Sequence, residues 1–305
     1  MRLNRANLVA VLIAVFCLIW SSAFAIGRAG VLYAPPLTLL TLRFFLAAML
    51  ASGLALILRQ KLPRGRALVL VALIGIVNHA VYLGLSYLGM RHVPAGLTAI
   101  IISANPVATT LLAAWLLDEG LHWRKLLGLA LGVLGVAFIL RHRLTLGLES
   151  PVDLLWPVGA LLALSGGTVL YKRWGGGQGG AGGFAVLAVQ LWAAGFSVVV
   201  PALCFEGGLS AINPTPTFWG SLVFQATAAS LGAYWIWFYL LRHGAASAVS
   251  SWNFLTPPLG VLFGWLLLDE QVAWVDLAGI APVALGILLV TRQPVPPPVP
   301  VRSEV

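Results

Sequence analysis

Long apolar runs separated by short polar loops dominate the chain. A helix that crosses a bilayer needs roughly 20 predominantly apolar residues. Ten runs meet or approach that length: 8–27, 37–58, 67–89, 95–117, 124–140, 153–172, 184–205, 218–241, 247–268 and 273–291. The fifth is short, and the loops leave no room for a separate soluble domain. The first run is too long for a signal peptide and has no small-residue cleavage site before the next, so it reads as helix one. The pattern predicts an all-α integral membrane protein with ten transmembrane helices.

Part of this pattern is written twice. Arg91–Gly135 returns as Arg242–Gly286, 151 positions on, with Pro106 matched by Pro257 and Asp118-Glu119 by Asp269-Glu270. Trp123, Gly128 and Gly135 return as Trp274, Gly279 and Gly286. A repeat of several spans marks a transporter built from two related halves. Five spans per half is an odd number, so the second half enters the membrane in the opposite sense and the repeats are inverted. The expected organisation is a first five-helix repeat over 1–143, a linker over 144–152, a second repeat over 153–292 and a disordered proline-rich tail over 293–305.

Composition agrees: the chain is 60% hydrophobic and 9% charged, with mean hydropathy +0.96, whereas soluble domains carry about 25% charged residues. A net charge of +9 raises nucleic-acid binding, but the basic residues are placed for topology. With the N-terminus inside, thirteen Lys and Arg fall on that side, four on the other, and Arg43 within a span. That bias puts both termini in the cytoplasm and excludes a nucleic-acid partner. Cys17 and Cys204 both fall within spans, so neither a disulfide framework nor a metal site is expected. The glycine-rich run 175–183 lacks the Lys-Ser/Thr ending of a phosphate loop and reads as a flexible connector. Gly128 and Gly132, with Gly135, Gly279 and Gly286, suit close helix packing between the halves. Asp118-Glu119 sits at a span end, placed to cap the helix that follows.

Polar groups in hydrocarbon are expensive and usually face a cavity or a partner. Candidates for a substrate cavity are Trp20, Ser22, Arg43, Asn78, His79, Tyr82, Ser103, Asn105, Gln190, Tyr234, Trp252 and Asn253. Asn78, Tyr82 and Ser86 stand at i, i+4 and i+8, one helical stripe, with His79 beside it. Arg43 follows Pro36 by seven residues as Gln190 follows Gly183, so the halves offer unequal partners at matching places. Pro106 and Pro257 each free a backbone carbonyl and favour a kink, and paired helix interruptions point to a transporter's binding region.

No Asp or Glu falls mid-span. An organic-cation pump would need such an anion, and a proton antiporter usually uses a carboxylate relay. A carrier of phosphorylated anions would want several buried cations, and only Arg43 is offered. A mildly polar, aromatic-lined cavity with one cation suits a zwitterion: Arg43 for a carboxylate, aromatic faces for an ammonium. No catalytic constellation, cofactor motif or His-rich metal cluster is evident, so an enzyme is not expected. His79 alone of the set has an ordinary pKa near physiological pH, about 6.5. Transport by facilitated diffusion, without strict proton coupling, is the simplest mechanism.

The chain resembles the drug/metabolite transporter superfamily, EamA type, through Trp20-Ser21-Ser22-Ala23-Phe24 before Arg28, Pro36 to Arg43-Phe44, Asn105-Pro106 and Asp118-Glu119-Gly120. It looks most like the YddG group of amino-acid exporters. The resemblance covers 8–291 and implies a central cavity lined by both halves and export of amino acids and related metabolites across a bacterial inner membrane. No glutamate stands between Leu8 and Ile26, unlike the small multidrug members. The alternatives are a broad-specificity metabolite or drug exporter and, remotely, a membrane scaffold or enzyme. The expected partners are a small-molecule substrate and the lipid bilayer. A monomer suffices for the function, with dimerisation left open.

Overall fold

The computed structural model describes residues 5–89, 98, 101–140, 151–175, 181–256, 258–259, 262–263 and 280–291. Pro257, Asp269, Glu270, Gly279, residues 144–150 and 176–180, and the tail from 292 on lie outside them. The described residues are helical and hold no strand. In chain order the helices are α1 (Arg5–Val31), α2 (Pro36–Ile57), α3 (Arg66–Gly89), α4 (Asn105–Leu116), α5 (Trp123–Leu140), α6 (Leu155–Leu170), α7 (Gly183–Glu206), α8 (216–243), α9 (Ala246–Ser250) and α10 (Ile280–Thr291). Among the described residues five helical stretches are long and apolar enough to cross a membrane: Asn7–Val31, Pro36–Ile57, Arg66–Gly89, Val152–Trp174 and Gly183–Glu206. Large apolar side chains such as Met49, Leu56, Trp115, Phe196 and Phe205 point outward, as a lipid-facing belt requires.

The helix ends follow local chemistry. Pro36 and Pro216 open α2 and α8, where a missing N–H leaves no intrahelical bond unmade. The Thr215 hydroxyl accepts from Phe218 N at 3.3 Å to cap α8. Gly207, at φ 73°, closes α7 in the left-handed conformation that glycine adopts without strain.

Helices α2 and α7 pack along each other, as do α5 and α10, and α4 and α9. Helix α1 lies on α8 as α6 lies on α3, and α2 on α8 as α7 on α3. Exchanging each helix of the first five with its counterpart in the second maps every one of these pairs onto itself or another. Small residues make the central contacts close. Ala47, Ala48 and Ala51 of α2 are fully buried, and a Cβ on Gly195 of α7 would lie 2.8 Å from the Phe45 ring. Between α5 and α10 a Cβ on Gly286 would sit 2.5 Å from the Gly128 carbonyl oxygen. Packing of small residues drives association where lipid cancels the hydrophobic effect. Gly128, Gly132 and Gly286, among the glycines marked out in the sequence, therefore make the α5–α10 contact.

One end of the bundle is knitted by polar bonds. Gln60 Oε1, after α2, accepts from Phe184 N (2.9 Å) and Ala185 N (3.1 Å) at the start of α7. Lys172 Nζ, at the end of α6, donates to the Leu241 and Gly244 carbonyls at 2.7 and 2.8 Å, and Arg173 donates to Leu116 O. Glu119 accepts from Ala246 N at 2.7 Å and from the Ser247 hydroxyl at 2.5 Å. It thus caps α9 of the other half, and not the helix that follows it, because the turn after α4 places its side chain beside the first N–H groups of α9. Lys125 completes the pair at 3.4 Å.

Candidate functional site

Two helices lose their α-helical register where the halves cross. In α3, Ile76–Val81 winds as a π-helix, and in α8 Gln225–Ala233 does the same. Such turns carry an extra residue, weaken the i→i−4 ladder and recur at functional sites. Each receives a polar side chain from the opposite half. Arg43 of α2 donates through Nε to the Ser230 hydroxyl in the α8 π-turn (2.7 Å). His79, in the α3 π-turn, donates through Nε2 to Gln190 Oε1 of α7 (3.2 Å). Gly75 permits the second contact, since a Cβ there would collide with the Gln190 backbone. The unequal pair expected at matching places, Arg43 and Gln190, thus occupies matching seats.

Around Arg43 lies a cavity of about 30 Å³ walled by Trp20, Ala23, Gly27, Tyr82, Tyr87, Gln225 and Ala229. The guanidinium is 3% exposed and also donates through Nη1 to Tyr87 Oη at 3.3 Å. Among the described residues no carboxylate pairs with it. A guanidinium has five N–H donors, so this buried cation has capacity to spare on the cavity side. The aromatic wall is continuous. Trp20 stacks toward Tyr82 with centroids 6.4 Å apart and meets Tyr234 edge-on at 5.2 Å. Tyr234 meets His79 at 4.1 Å and sends its hydroxyl to Asn78 O at 3.3 Å. Such a set can hold a carboxylate on the guanidinium and an ammonium against ring faces.

A second polar cluster joins the interrupted helices α4 and α9. Asn253 Nδ2 donates to Asn105 Oδ1, and Asn105 Nδ2 to the Ser165 hydroxyl, each at 2.9 Å. The chain turns at Ala104, and Pro106 lies in the first turn of α4, so the interruption falls just before the proline. After α9 the matching stretch Ser251–Leu255 is a tight 3-10 turn; Pro257 lies outside the described residues.

The candidates divide into three groups. Trp20, Arg43 and Tyr82 line the cavity, while His79, Gln190, Asn78 and Tyr234 form the layer directly behind it. Asn105 and Asn253 are bonded to each other elsewhere, and Ser103 is buried two residues before Asn105. Ser22 donates to Ile19 O in its own helix. Trp252 faces a separate apolar groove beside Val9, Ile13 and Cys17. The expected stripe of Asn78, Tyr82 and Ser86 is broken. Asn78 turns to Gly167 of α6, Tyr82 faces Trp20, and Ser86 bonds Tyr82 O of its own turn (2.8 Å). The stripe assumed 3.6 residues per turn, and the π-turn shifts the register by about one residue. Gln225, a polar residue within a span, and Tyr87, Gly27 and Ala229 also line the cavity. The recurrence of Tyr87 as Tyr239 was the available signal.

Crossed helices, interrupted spans and a buried cation beside an aromatic cavity define a polytopic membrane transporter. The EamA-like transporter family model matches residues 7–141 and again 153–292, and the chain belongs to that family. It is 27% identical over 284 residues to the "Uncharacterized transporter YvbV" of Bacillus subtilis, covering 93% of this chain and 92% of that one. It is 26% identical over 278 residues to the "Probable amino-acid metabolite efflux pump" of Escherichia coli, covering 89% and 90%. The "Uncharacterized inner membrane transporter YedA" of Escherichia coli is 27% identical over 90% of this chain and 87% of its own. A crystal structure 17% identical in sequence superposes with a TM-score of 0.78 over 94% of this chain and 97% of that one, a likeness of fold. The protein is therefore a multi-pass membrane transporter and not an enzyme.

Proposed function

We propose that this transporter exports amino acids and related zwitterionic metabolites by alternating access between two inverted five-helix halves, 1–143 and 153–292, with both termini cytoplasmic. The observation that carries the reading is Arg43: a buried guanidinium, unpaired with any described carboxylate, on a cavity walled by Trp20, Tyr82 and Tyr87. A carboxylate completes its donor set and the rings take the ammonium. The name carried by the Escherichia coli efflux pump supports the same substrate class. The paired contacts between α1–α5 and α6–α10 support the inverted halves, and the excess of Lys and Arg on one side supports the orientation. At about 30 Å³ the cavity is narrower than an amino acid, so transport requires it to widen.

The test is reconstitution into liposomes and a screen of amino acids, nucleosides and organic cations for flux above that of empty vesicles. Zwitterionic amino acids should move without an imposed proton gradient. Flux confined to nucleosides or organic cations would reject the reading.

A further inference from the structure

Above the Arg43 cavity, between the α1–α2 loop and the residues before α8, lies a wider vestibule of about 460 Å³ bordered by Tyr33, Pro35 and Asn213. It shares two residues with the inner cavity, Val31 and Tyr87. Val31 is aliphatic and part-exposed, whereas Tyr87 is 7% exposed and held at both faces. Its hydroxyl accepts from Arg43 Nη1 at 3.3 Å and rests on Gly27 of α1, where a Cβ would lie 2.5 Å away. On the same side of Gly27, Gln225 Nε2 donates to Ala23 O at 2.6 Å and fixes α1 against α8.

We propose that Tyr87 is the plug between vestibule and inner cavity, and that Arg43 is its latch: a carboxylate reaching the guanidinium takes the place of the phenol and frees the ring to swing aside. Of the two neutral hydroxyls that Arg43 holds, the phenol is the more distant, 3.3 Å against 2.7 Å to Ser230. A charged acceptor forms shorter and stronger bonds to guanidinium than a phenol does, so the exchange favours opening. With the termini cytoplasmic the α1–α2 loop lies outside, so the plug guards the exit: recognition and release become one event, and a compound lacking a carboxylate leaves the exit shut. This selectivity rests on Arg43 being the substrate anchor proposed above; the plug itself does not.

The two parts are tested separately. In a background carrying Cys17→Ala and Cys204→Ser, Ala229→Cys places one thiol on the inner cavity wall. Its labelling by a charged methanethiosulfonate reagent in detergent, without substrate, should be slow. It should rise about tenfold on adding Tyr87→Phe, which keeps the ring and removes the latch, a factor worth ~1.4 kcal/mol. Gly27→Ala, whose methyl group displaces both the phenol and Gln225 Nε2, should act in the same direction. Melting curves and size-exclusion profiles matching the parent exclude a folding defect. Equal labelling rates in all three proteins would overturn the plug. In liposomes the parent should prefer phenylalanine over phenylalaninamide, and Tyr87→Phe should cut that preference about tenfold, again ~1.4 kcal/mol. An unchanged preference would overturn the latch. If the parent moves no amino acid at all, the substrate class proposed above fails while the labelling result still decides the plug.

Discussion

Replacing Arg43 with glutamine asks the fold a question it has already answered once, because Gln190 is the residue α7 places at the matching depth. Arg43→Gln removes a buried cation together with its bonds to Ser230 and Tyr87 (2.7 and 3.3 Å). Glutamine keeps a donor that can reach one of them. The cost of the lost bonds is offset by relief from burying an ion, so thermal stability should stay close to that of the parent. Substrate binding should not. A hydrogen bond to a charged group contributes ~1.5–3 kcal/mol, which corresponds to a roughly 10- to 150-fold weaker half-saturation for carboxylate substrates at ~1.4 kcal/mol per decade. The assay is counterflow of a radiolabelled amino acid in liposomes, with its amide as a competitor. The amino acid should lose affinity by that factor and the amide should not. A half-saturation within about threefold of the parent, a shift of ~0.7 kcal/mol, in a well-folded variant would show Arg43 to be a helix tie and refute its role as anchor.

Gly286→Val should separate α5 from α10, because its Cβ would meet the Gly128 carbonyl oxygen. Overpacking of this kind costs ~1–3 kcal/mol, and an unchanged melting curve in detergent would contradict the packing. Glu119→Ala leaves Ala246 N and Ser247 N without their acceptor and should cost ~1–2 kcal/mol as a lost helix cap, read as a lower denaturation midpoint; a midpoint equal to the parent's would show the cap to be idle. Tyr82→Ala opens the aromatic wall facing Trp20 and should lower flux while leaving expression near normal, whereas full transport would place Tyr82 outside the pathway. His79→Gln should alter the rate of transport more than its coupling, since flux is expected without an imposed proton gradient. Strict dependence on inward proton flow, abolished in the variant, would reverse that expectation.

The sequence carried the helical membrane fold almost directly, since a bilayer forces backbone polar groups to be satisfied within helices and the apolar runs mark them. Arg43 was also visible there, because one cation within a span has few reasons to be present. The seats of Arg43 and Gln190 were not. They depend on π-turns, and nothing in Ile76–Val81 or Gln225–Ala233 breaks a helical pattern by composition. Periodicity therefore aligned Asn78 with Tyr82 and missed that the extra residue turns one to α6 and the other to α1. Trp252 was placed in the cavity by its depth along the chain, but rotation about a helix axis is not encoded in depth. Tyr87 recurs 152 positions on as Tyr239, and that recurrence is its signal in the sequence.

If the halves exchange conformations during transport, Tyr87 and its counterpart Tyr239 exchange roles. In this structure the vestibule lies at the α1–α2 loop end, while the opposite end is closed by Gln60, Lys172, Arg173 and Glu119. The bonds of Gln60, Arg173 and Glu119 tie helix ends of different halves, while Lys172 ties α6 to α8 within the second, so opening that end requires the three cross-half ties to break together. Tyr239 stands among them, stacked on Trp235 with centroids 5.7 Å apart and 4.4 Å from the His243 ring. Among the described bonds it has no guanidinium holding its hydroxyl, because the place matching Arg43 is filled by Gln190. On the plug proposed above, the two ends are unequal: one would be latched by a cation that a carboxylate can claim, the other held by aromatic stacking and helix-end bonds that no substrate carboxylate need disturb. A carrier built this way would couple substrate chemistry to one gate only, and the direction of net flux would follow the substrate's own gradient.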